Sequence, residues 1–291
     1  MASGFFRRAG IASVCRALQD GIVKGRCCLS RQQRRRRVTR AIHLMSRRFA
    51  GSTASLSKCD VCDDSPGARD AVSTVSKKLY KNSRTYDLFM KWLGYESRID
   101  RFLRRLNTSG GPHERILDAG CGTGLLGLHF LERFPAARLQ ATDLEPNFLH
   151  AMLVNAARRG IDRERIAVAQ ADISRPKQLT TLEGAPLALE DASFDLICIG
   201  AVVGYASDIE ASLCHLLQLL APGGTLINIE MSESVTGRFV SRRYQYHNIP
   251  LARMRDLIRD QGCQVVSTAL GIRHFPANLT RTAIIARKAG G

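Results

Sequence analysis

The sequence predicts an α/β protein with a doubly wound, mostly parallel sheet. Strand-like and helix-like segments alternate from residue 112 onward, which is the pattern of successive βαβ units. A short apolar run, 115–119, leads into a helical pattern through a glycine-rich turn, and open α/β sheets bind ligands at such turns. The last two strand-like segments, 264–270 and 281–287, leave no room for a crossover helix, so we expect an antiparallel C-terminal hairpin.

The spacing of apolar residues places each element along the chain. Lys78 to Leu106 is predicted to be helical, with Gly94 as a candidate break. The predicted strands are 115–119, 138–142, 166–171, 194–199, 225–230, 264–270 and 281–287, and the helices between them are 125–134, 146–159, 208–220 and 251–261. These patterns divide the chain into a basic, disordered or targeting tail (1–58), a linker (59–77), an N-terminal helical lid (78–111) and an α/β domain (112–291).

The positive charge of the chain is concentrated in its N-terminal tail. The formal net charge is +17, and residues 1–58 contribute +13 of it because Asp20 is their only acid. An arginine-rich, acid-poor segment that can form an amphipathic helix is typical of a mitochondrial transit peptide, and Arg47 to Ala50 fits a matrix-processing site. We therefore expect the protein to be located in the mitochondrial matrix, with an import receptor as a partner. The alternatives are that residues 31–37 form a nuclear signal or a nucleic-acid arm, or that the tail is a plain basic extension. In these cases the protein would be nuclear or cytoplasmic.

The composition of the rest of the chain argues against several classes of protein. Residues 59–291 carry only +4, so they lack the broad positive face that nucleic-acid binding usually needs. No apolar stretch approaches the ~18 residues of a membrane span. Nine cysteines without regular spacing argue against a disulfide framework. Cys59 and Cys62 form a CxxC pair without the second pair that zinc needs, so we interpret them as linker residues and expect no metal.

The glycine-rich turn offers bare backbone to a ligand. In RILDAGCGTGLLG, Gly120, Gly122 and Gly124 follow the first predicted strand directly, and glycine lets a ligand approach the main chain closely. The spacing is GxGxG, but 122–127 also fits GxGxxG, the dinucleotide fingerprint. The motif alone therefore leaves S-adenosylmethionine and NAD as alternative ligands.

Acidic residues near the strand ends help to separate these ligands. Asp143 ends the second strand and fits the ribose hydroxyls that both ligands carry, although a helix N-cap ahead of Pro146 is also compatible. Asp172 ends the third strand and fits an adenine amino group, or a turn. Asp118 lies just before the glycines, where it would attract an ammonium group and repel a pyrophosphate. This last position favours S-adenosylmethionine.

Together these motifs resemble the class I S-adenosylmethionine-dependent methyltransferases, in their type 11, small-molecule group. Five segments carry the resemblance in the family's order over about residues 112 to 288: ILDAGCGTG, ATDLEP, AQADI, PLALEDASFDLICIG and LLQLLAPGGTLIN. The resemblance implies a Rossmann-like, seven-stranded sheet of order 3-2-1-4-5-7-6 with the last strand antiparallel, over a methyltransferase domain at 112–291. It also implies S-adenosyl-L-methionine as the cofactor.

The resemblance further implies a role for each matching position. The methionine part of the cofactor would contact Asp118, Gly120, Gly122 and Gly124; the ribose would contact Asp143, with Leu144 beside it; the adenine would contact Asp172 and Ile173. Gly200 and Ala201 would line the methionine side near the transferring methyl group.

The expected methyl acceptor is a small molecule. Methylators of adenine or glutamine typically carry Asn/Asp-Pro-Pro-aromatic after the fourth strand, whereas this chain has GAVVGY at 200–205. The segment PLALEDASFD resembles one that is commoner among enzymes that methylate quinone rings, lipids and other small molecules. His247 is the first candidate general base, with Tyr246 beside it as a second, and the alternative for His247 is a solvated loop histidine.

Three other functions remain open from the sequence. A protein that binds the cofactor without transferring a methyl group could act as an assembly factor, because the motifs describe cofactor binding only. An RNA methyltransferase would use the basic tail to hold RNA. An NAD-dependent dehydrogenase leaves Asp118 and the Pro222-Gly-Gly224 turn unexplained.

Overall fold

A computed structural model describes residues 94–106, 108 and 113–290 of the chain. The predicted basic tail, the linker with its CxxC pair, and residues 78–93 of the first predicted helix lie outside the described residues. The domain boundaries proposed from the sequence therefore stay predictions. Within the described residues, no helix combines the length and the apolarity that crossing a membrane requires.

The described residues form one nine-stranded sheet with the order β5-β4-β3-β2-β1-β6-β7-β9-β8. The strands are β1 (Arg115–Ala119), β2 (Arg138–Asp143), β3 (Ile166–Gln170), β4 (Gln178–Thr181), β5 (Pro186–Ala188), β6 (Phe194–Ile199), β7 (Leu220–Met231), β8 (Cys263–Ala269) and β9 (Arg281–Lys288). Strands β3, β2, β1, β6 and β7 are parallel neighbours, and β9 pairs antiparallel with both β7 and β8. The predicted α/β fold, strand order and C-terminal hairpin are confirmed.

The predicted number of seven strands is wrong, because β4 and β5 add an antiparallel hairpin at the β3 edge. All three residues of β5 are exposed, so this strand carries no apolar alternation from which a strand could be predicted. Strand β7 also begins five residues earlier than expected, at Leu220. Its pairing with β6 shifts between Phe194 and Leu196, so residues 221–224 bulge out around Gly223, whose φ is 75°.

In the part of the chain that the structure describes, six α-helices cover the sheet: α1 (Tyr95–Leu103), α2 (Leu125–Arg133), α3 (Pro146–Arg158), α4 (Ile209–Leu219), α5 (Val235–Arg243) and α6 (Leu251–Asp260). Helix α1 starts directly after Gly94, whose φ of 62° places it in the left-handed region, as the expected break requires. Helix α5 was not predicted, because its exposed face mixes arginines with apolar residues.

The core lies on both faces of the sheet. Successive residues of a strand point to opposite faces, so Ile116 of β1 packs with α1, α2 and α3 while Leu117 packs with α4 and α6. Strand β1 has β2 on one side and β6 on the other, and this is where the direction of winding reverses. The carboxyl ends of β1, β2, β3 and β6 therefore meet at one edge, beside the switch point where open α/β sheets bind ligands.

We expect Ile99→Ala to lower the free energy of unfolding by about 3 kcal/mol, because Ile99 is fully buried in the cluster that α1 shares with α2. Denaturant unfolding of the full chain, followed by circular dichroism, measures the change. Arg101→Ala is the matched control on the same helix, since Arg101 is exposed, and it should stay within about 0.5 kcal/mol of the wild type. Equal stability for both variants would show that α1 is not part of the core.

Candidate active site

The turn after β1 has the geometry that its glycines predict. Gly120, Gly122 and Gly124 have φ values of 67°, 52° and 88°, all in the left-handed region that favours glycine. A Cβ at Gly120 would lie 2.4 Å from Val202 Cγ2, and one at Gly124 would lie 2.5 Å from Met152 Cγ. A Cβ at Gly122 would meet nothing within 4 Å. Two glycines therefore allow close packing of protein against protein, and Gly122 leaves open space where a ligand can approach.

Asp143 holds this turn in place from the end of β2. The backbone N–H of Gly122 donates to Asp143 Oδ2 at 2.8 Å, and that of Glu145 donates to Oδ1 at 3.0 Å. Burial raises the pKa of the Asp143 carboxyl, although the hydrogen bonds from Glu145 and Gly122 lower it. The carboxyl is nevertheless partly exposed, so it can accept further hydrogen bonds at the same edge of the sheet.

Asp118 lies beneath the turn. Its side chain is 1% exposed and accepts a hydrogen bond of 2.8 Å from the backbone N–H of Gly127, in the first turn of α2. Burial raises the pKa of Asp118 to about 7; the Gly127 hydrogen bond lowers it and the negative charge of Asp143 raises it further. A Cβ at Gly127 would lie 2.7 Å from Asp118 Oδ2. The last glycine of the GxGxxG spacing therefore makes room for a carboxyl group and not for a dinucleotide.

The residues expected near an adenine ring lie beside this turn. Asp172 is exposed and accepts a hydrogen bond of 2.8 Å from the N–H of Ser174, while Ile173 is buried in the core. Leu144 follows Asp143 and is 52% exposed. An open cleft of about 850 Å³ starts at Asp172 and runs along the β4–β5 hairpin. None of the residues that line this cleft belongs to the glycine turn.

The segment after β6 forms another part of the candidate site. Gly200 is exposed, and Ala201 has a φ of 54°, which is rare for a residue with a side chain. Ala201 packs in a small cluster with Met231 and Tyr246. A backbone outlier at this position indicates that the surrounding contacts hold the segment in place, and such strain clusters at functional sites.

A buried polar cluster at the end of β7 fixes Tyr246. The Tyr246 hydroxyl donates to Glu230 Oε1, which also accepts the N–H of Met231 at 2.7 Å, and Asn228 Nδ2 donates to Oε2 at 3.0 Å. Burial raises the pKa of Tyr246 well above its usual value, and the charge of Glu230 raises it further. The Tyr246 hydroxyl is therefore a protonated donor at neutral pH. A role for it as a base would require Glu230 to take up its proton.

His247 is exposed, and its backbone N–H donates to the Gly204 carbonyl at 3.0 Å. Gly204 also contacts Tyr246, since a Cβ there would lie 2.5 Å from Tyr246 Cζ. Consecutive residues after α5 thus bind the segment after β6, which places the two candidate bases next to the segment expected near the transferring methyl group. The catalytic assignment of His247 and Tyr246 itself stays a prediction.

Sequence reasoning missed two structural contributors. Asp195, from the SFD motif, accepts hydrogen bonds from the N–H groups of Glu114 and Arg115 at 3.2 and 2.9 Å, at the amino end of β1. This conspicuous acid therefore lies at the opposite edge of the sheet from the site. Asn228 was also missed, because a single polar residue in an apolar strand gives no spacing signal.

Comparisons with known proteins agree with this geometry. Residues 117–226 match the family model described as "Methyltransferase domain". A malonyl-[acyl-carrier protein] O-methyltransferase of Hahella chejuensis is 30% identical over 53% of this chain and 48% of its own length. A demethylmenaquinone methyltransferase of Thermus thermophilus is 31% identical over 53% of this chain and 64% of its own. The chain thus spans about half to two thirds of the length of these curated relatives.

Solved structures show the same fold. An O-methyltransferase family protein from Burkholderia thailandensis aligns with a TM-score of 0.58 and 16% identity, over 74% of this chain and 63% of that protein. The [4+2]-cyclase SpnF aligns with a TM-score of 0.50 and 17% identity, over 67% of this chain and 81% of its own. The sheet order and the site thus define a protein of the class I methyltransferase fold. Residues 117–226 are thus similar to a methyltransferase domain, and the described residues have the fold of that class.

The raised pKa of Asp118 predicts a specific pH dependence of stability. Because the folded pKa of about 7 exceeds the unfolded value of 3.8, the folded state binds the proton more tightly. The contribution of this group is therefore fully present below about pH 4 and is lost as the pH rises through about 7, at a total cost of roughly 4 kcal/mol. Asp118→Asn should remove this loss, so the variant gains stability relative to wild type between about pH 5 and about pH 8.

Denaturant unfolding of both proteins across this pH range measures the difference. Asp172→Asn is the control, since Asp172 is exposed at the same edge of the sheet, and it should keep the wild-type pH dependence. A constant difference in stability between Asp118→Asn and wild type at every pH would contradict the assignment.

Proposed function

We propose that this protein is an S-adenosylmethionine-dependent methyltransferase that acts on a small-molecule acceptor. The observation that carries the proposal is the open space over Gly122, whose N–H is tied to the Asp143 carboxyl at the switch point of the sheet. The family match and the names of the relatives support the same activity.

The residues at this edge fit S-adenosylmethionine better than NAD. A ligand over Gly122 has the partly exposed Asp143 carboxyl available for ribose hydroxyls, and the Asp118 carboxyl lies under the same turn. An ammonium group near Asp118 stabilises its ionised form, whereas a pyrophosphate there would repel it. The cofactor supplies a methyl group already activated on a sulfonium. The chain therefore contributes mainly binding and orientation.

The proposed acceptor is a quinone-type or lipid-like small molecule. The relatives include proteins named as a demethylmenaquinone methyltransferase and, from Paracoccus denitrificans, a ubiquinone/menaquinone biosynthesis C-methyltransferase. The segment 200–205 lacks the Asn/Asp-Pro-Pro-aromatic sequence of adenine and glutamine methylators. A carbon or oxygen acceptor must lose a proton, and the exposed imidazole of His247 is the proposed base.

A second candidate function is cofactor binding without methyl transfer. It is favoured by the likeness of the fold to SpnF, which is a [4+2]-cyclase and not a methyltransferase by name. A screen of quinone-type and lipid-like acceptors with S-adenosylmethionine separates the two functions, because cofactor binding without turnover on any acceptor supports the second. On an acceptor that is methylated, His247→Ala should abolish turnover and leave cofactor affinity unchanged. Turnover that survives this change would remove His247 as the base.

Cofactor binding can be tested with two matched glycine variants. Gly122→Ala places a methyl group in the open space over the turn, so we expect the Kd for S-adenosylmethionine to rise at least about tenfold. Gly160→Ala is the control, because Gly160 has a φ of 68°, equally open surroundings, and a position at the far end of α3. Both variants should lose a similar 1–2 kcal/mol of stability, roughly the cost of a left-handed alanine.

Calorimetry on the full chain with S-adenosylmethionine, S-adenosylhomocysteine and NAD gives the readout. Binding of the first two ligands, weakened only by Gly122→Ala, supports the proposal. If Gly160→Ala weakened ligand binding equally, the effect of Gly122→Ala would be due to backbone strain. If only NAD bound, the proposed function would be that of a dehydrogenase and not of a methyltransferase.

We further propose that the protein acts in the mitochondrial matrix, with an import receptor as the partner of its N-terminal tail. The support is the composition of residues 1–58, which hold a single acid, and the processing-like sequence at Arg47 to Ala50. Import of the full chain into isolated mitochondria, followed by protease protection, tests this. We expect the full chain to become protected from protease, and we expect this protection to be lost when Arg7, Arg8 and Arg16 are changed to glutamine. A full chain that stays sensitive to protease would overturn the proposal.

A further inference from the structure

Helix α5 presents an outer face that combines apolar side chains with unpaired positive charge. Val235 and Phe239 are 87% and 56% exposed, four residues apart on one side of the helix. Arg238, Arg242 and Arg243 are exposed at the intervening and following positions. None of these three arginines forms an ion pair within the described part of the chain. Exposure of the two apolar side chains to water is energetically unfavourable, and folding does not require these side chains at the surface.

The chain segment that contains this helix is rich in positive charge. No acid occurs between Glu233 and Asp256, whereas that stretch holds five arginines. One of them, Arg253, is paired with Glu210 at 2.6 Å. The face is therefore complementary to a negatively charged surface. Because it also exposes a phenylalanine and a valine, it fits best a surface that has an apolar layer beneath its charges.

The inner face of the same helix packs next to the candidate active site. Gly237 and Ser241 are buried against the domain, and Val240 packs on the cluster of Ala201, Met231 and Tyr246. Helix α5 is thus held at one end of the site while its outer face points to solvent. A surface that covers the outer face would lie directly beside the segments expected around the acceptor.

We propose that the outer face of α5 docks the protein on an anionic lipid surface. An amphipathic helix with arginines beside apolar residues lies in the plane of such a surface, with its apolar groups below the headgroups and its arginines among them. Nucleic acid would satisfy the arginines but would leave Val235 and Phe239 exposed. This inference goes beyond the proposed methyl transfer and does not depend on it, because docking needs neither cofactor nor acceptor.

The charge contribution can be measured by sedimentation of the full chain with phosphatidylcholine vesicles, with and without phosphatidylglycerol. Removing one arginine near the surface lowers the partition coefficient about fivefold, the equivalent of about 1 kcal/mol, so Arg242→Gln with Arg243→Gln should lower it about 25-fold. The matched control is Arg138→Gln with Arg158→Gln, which removes the same charge from exposed positions on β2 and α3. The N-terminal tail is present in both proteins and contributes equally.

A fluorescence measurement identifies the surface that touches the lipid. Phe239→Trp should give a blue-shifted emission with anionic vesicles, and Val154→Trp, at a position 49% exposed on α3, should not. The native Trp92 is common to both proteins. Equal partitioning of the two arginine pairs, or no difference in emission between the two tryptophan variants, would overturn the proposal. Loss of RNA binding but not of vesicle binding in the Arg242/Arg243 variant would assign the face to nucleic acid instead.

Discussion

The hydrogen bond from the Gly122 N–H to the Asp143 carboxylate is the contact on which the site depends. It joins the turn after β1 to the end of β2, which are separated by the whole of α2 in sequence. The bond orients bare backbone toward solvent at the point where the winding of the sheet reverses. The same carboxylate also binds the start of α3 through Glu145, so turn, strand and helix are held together by one side chain.

Two carboxylates near one another, the buried Asp118 and the half-buried Asp143, then define the electrostatics of the site. Burial raises the pKa of both Asp118 and Asp143, and the negative charge of Asp143 further opposes ionisation of Asp118. A positive group bound at this edge would be attracted by both carboxylates. On the other side of the edge, Glu230 is compensated by three hydrogen bonds, including that from Tyr246. The two groups of acids therefore act differently. Asp118 and Asp143 attract a positive group, whereas Glu230 holds the chain segment of Tyr246 in place.

The sequence could predict those parts of the fold that repeat a pattern. Parallel strands such as Phe194–Ile199 are apolar apart from a single acid, and the missing crossover before Arg281 defines the terminal hairpin. It could not predict β5, which is wholly exposed, or α5, whose outward face carries Phe239. For the site, the spacing of the glycines indicated a ligand turn, but only the contacts separate Gly122, which faces open space, from Gly120 and Gly124, which pack on side chains. The hydrogen bond that Asp195 accepts at the amino end of β1 could be recognised only from the register of β1 and β6, which the sequence composition does not contain.

The most direct test of this account is a crystal structure of the full chain with S-adenosylhomocysteine. We expect the ribose hydroxyls within hydrogen-bond distance of the Asp143 carboxylate and the amino-acid part of the ligand over Gly122, with its ammonium group on the side of Asp118. A ligand bound instead in the cleft along the β4–β5 hairpin, with the glycine turn unchanged and free, would contradict the central claim that this turn is the cofactor site.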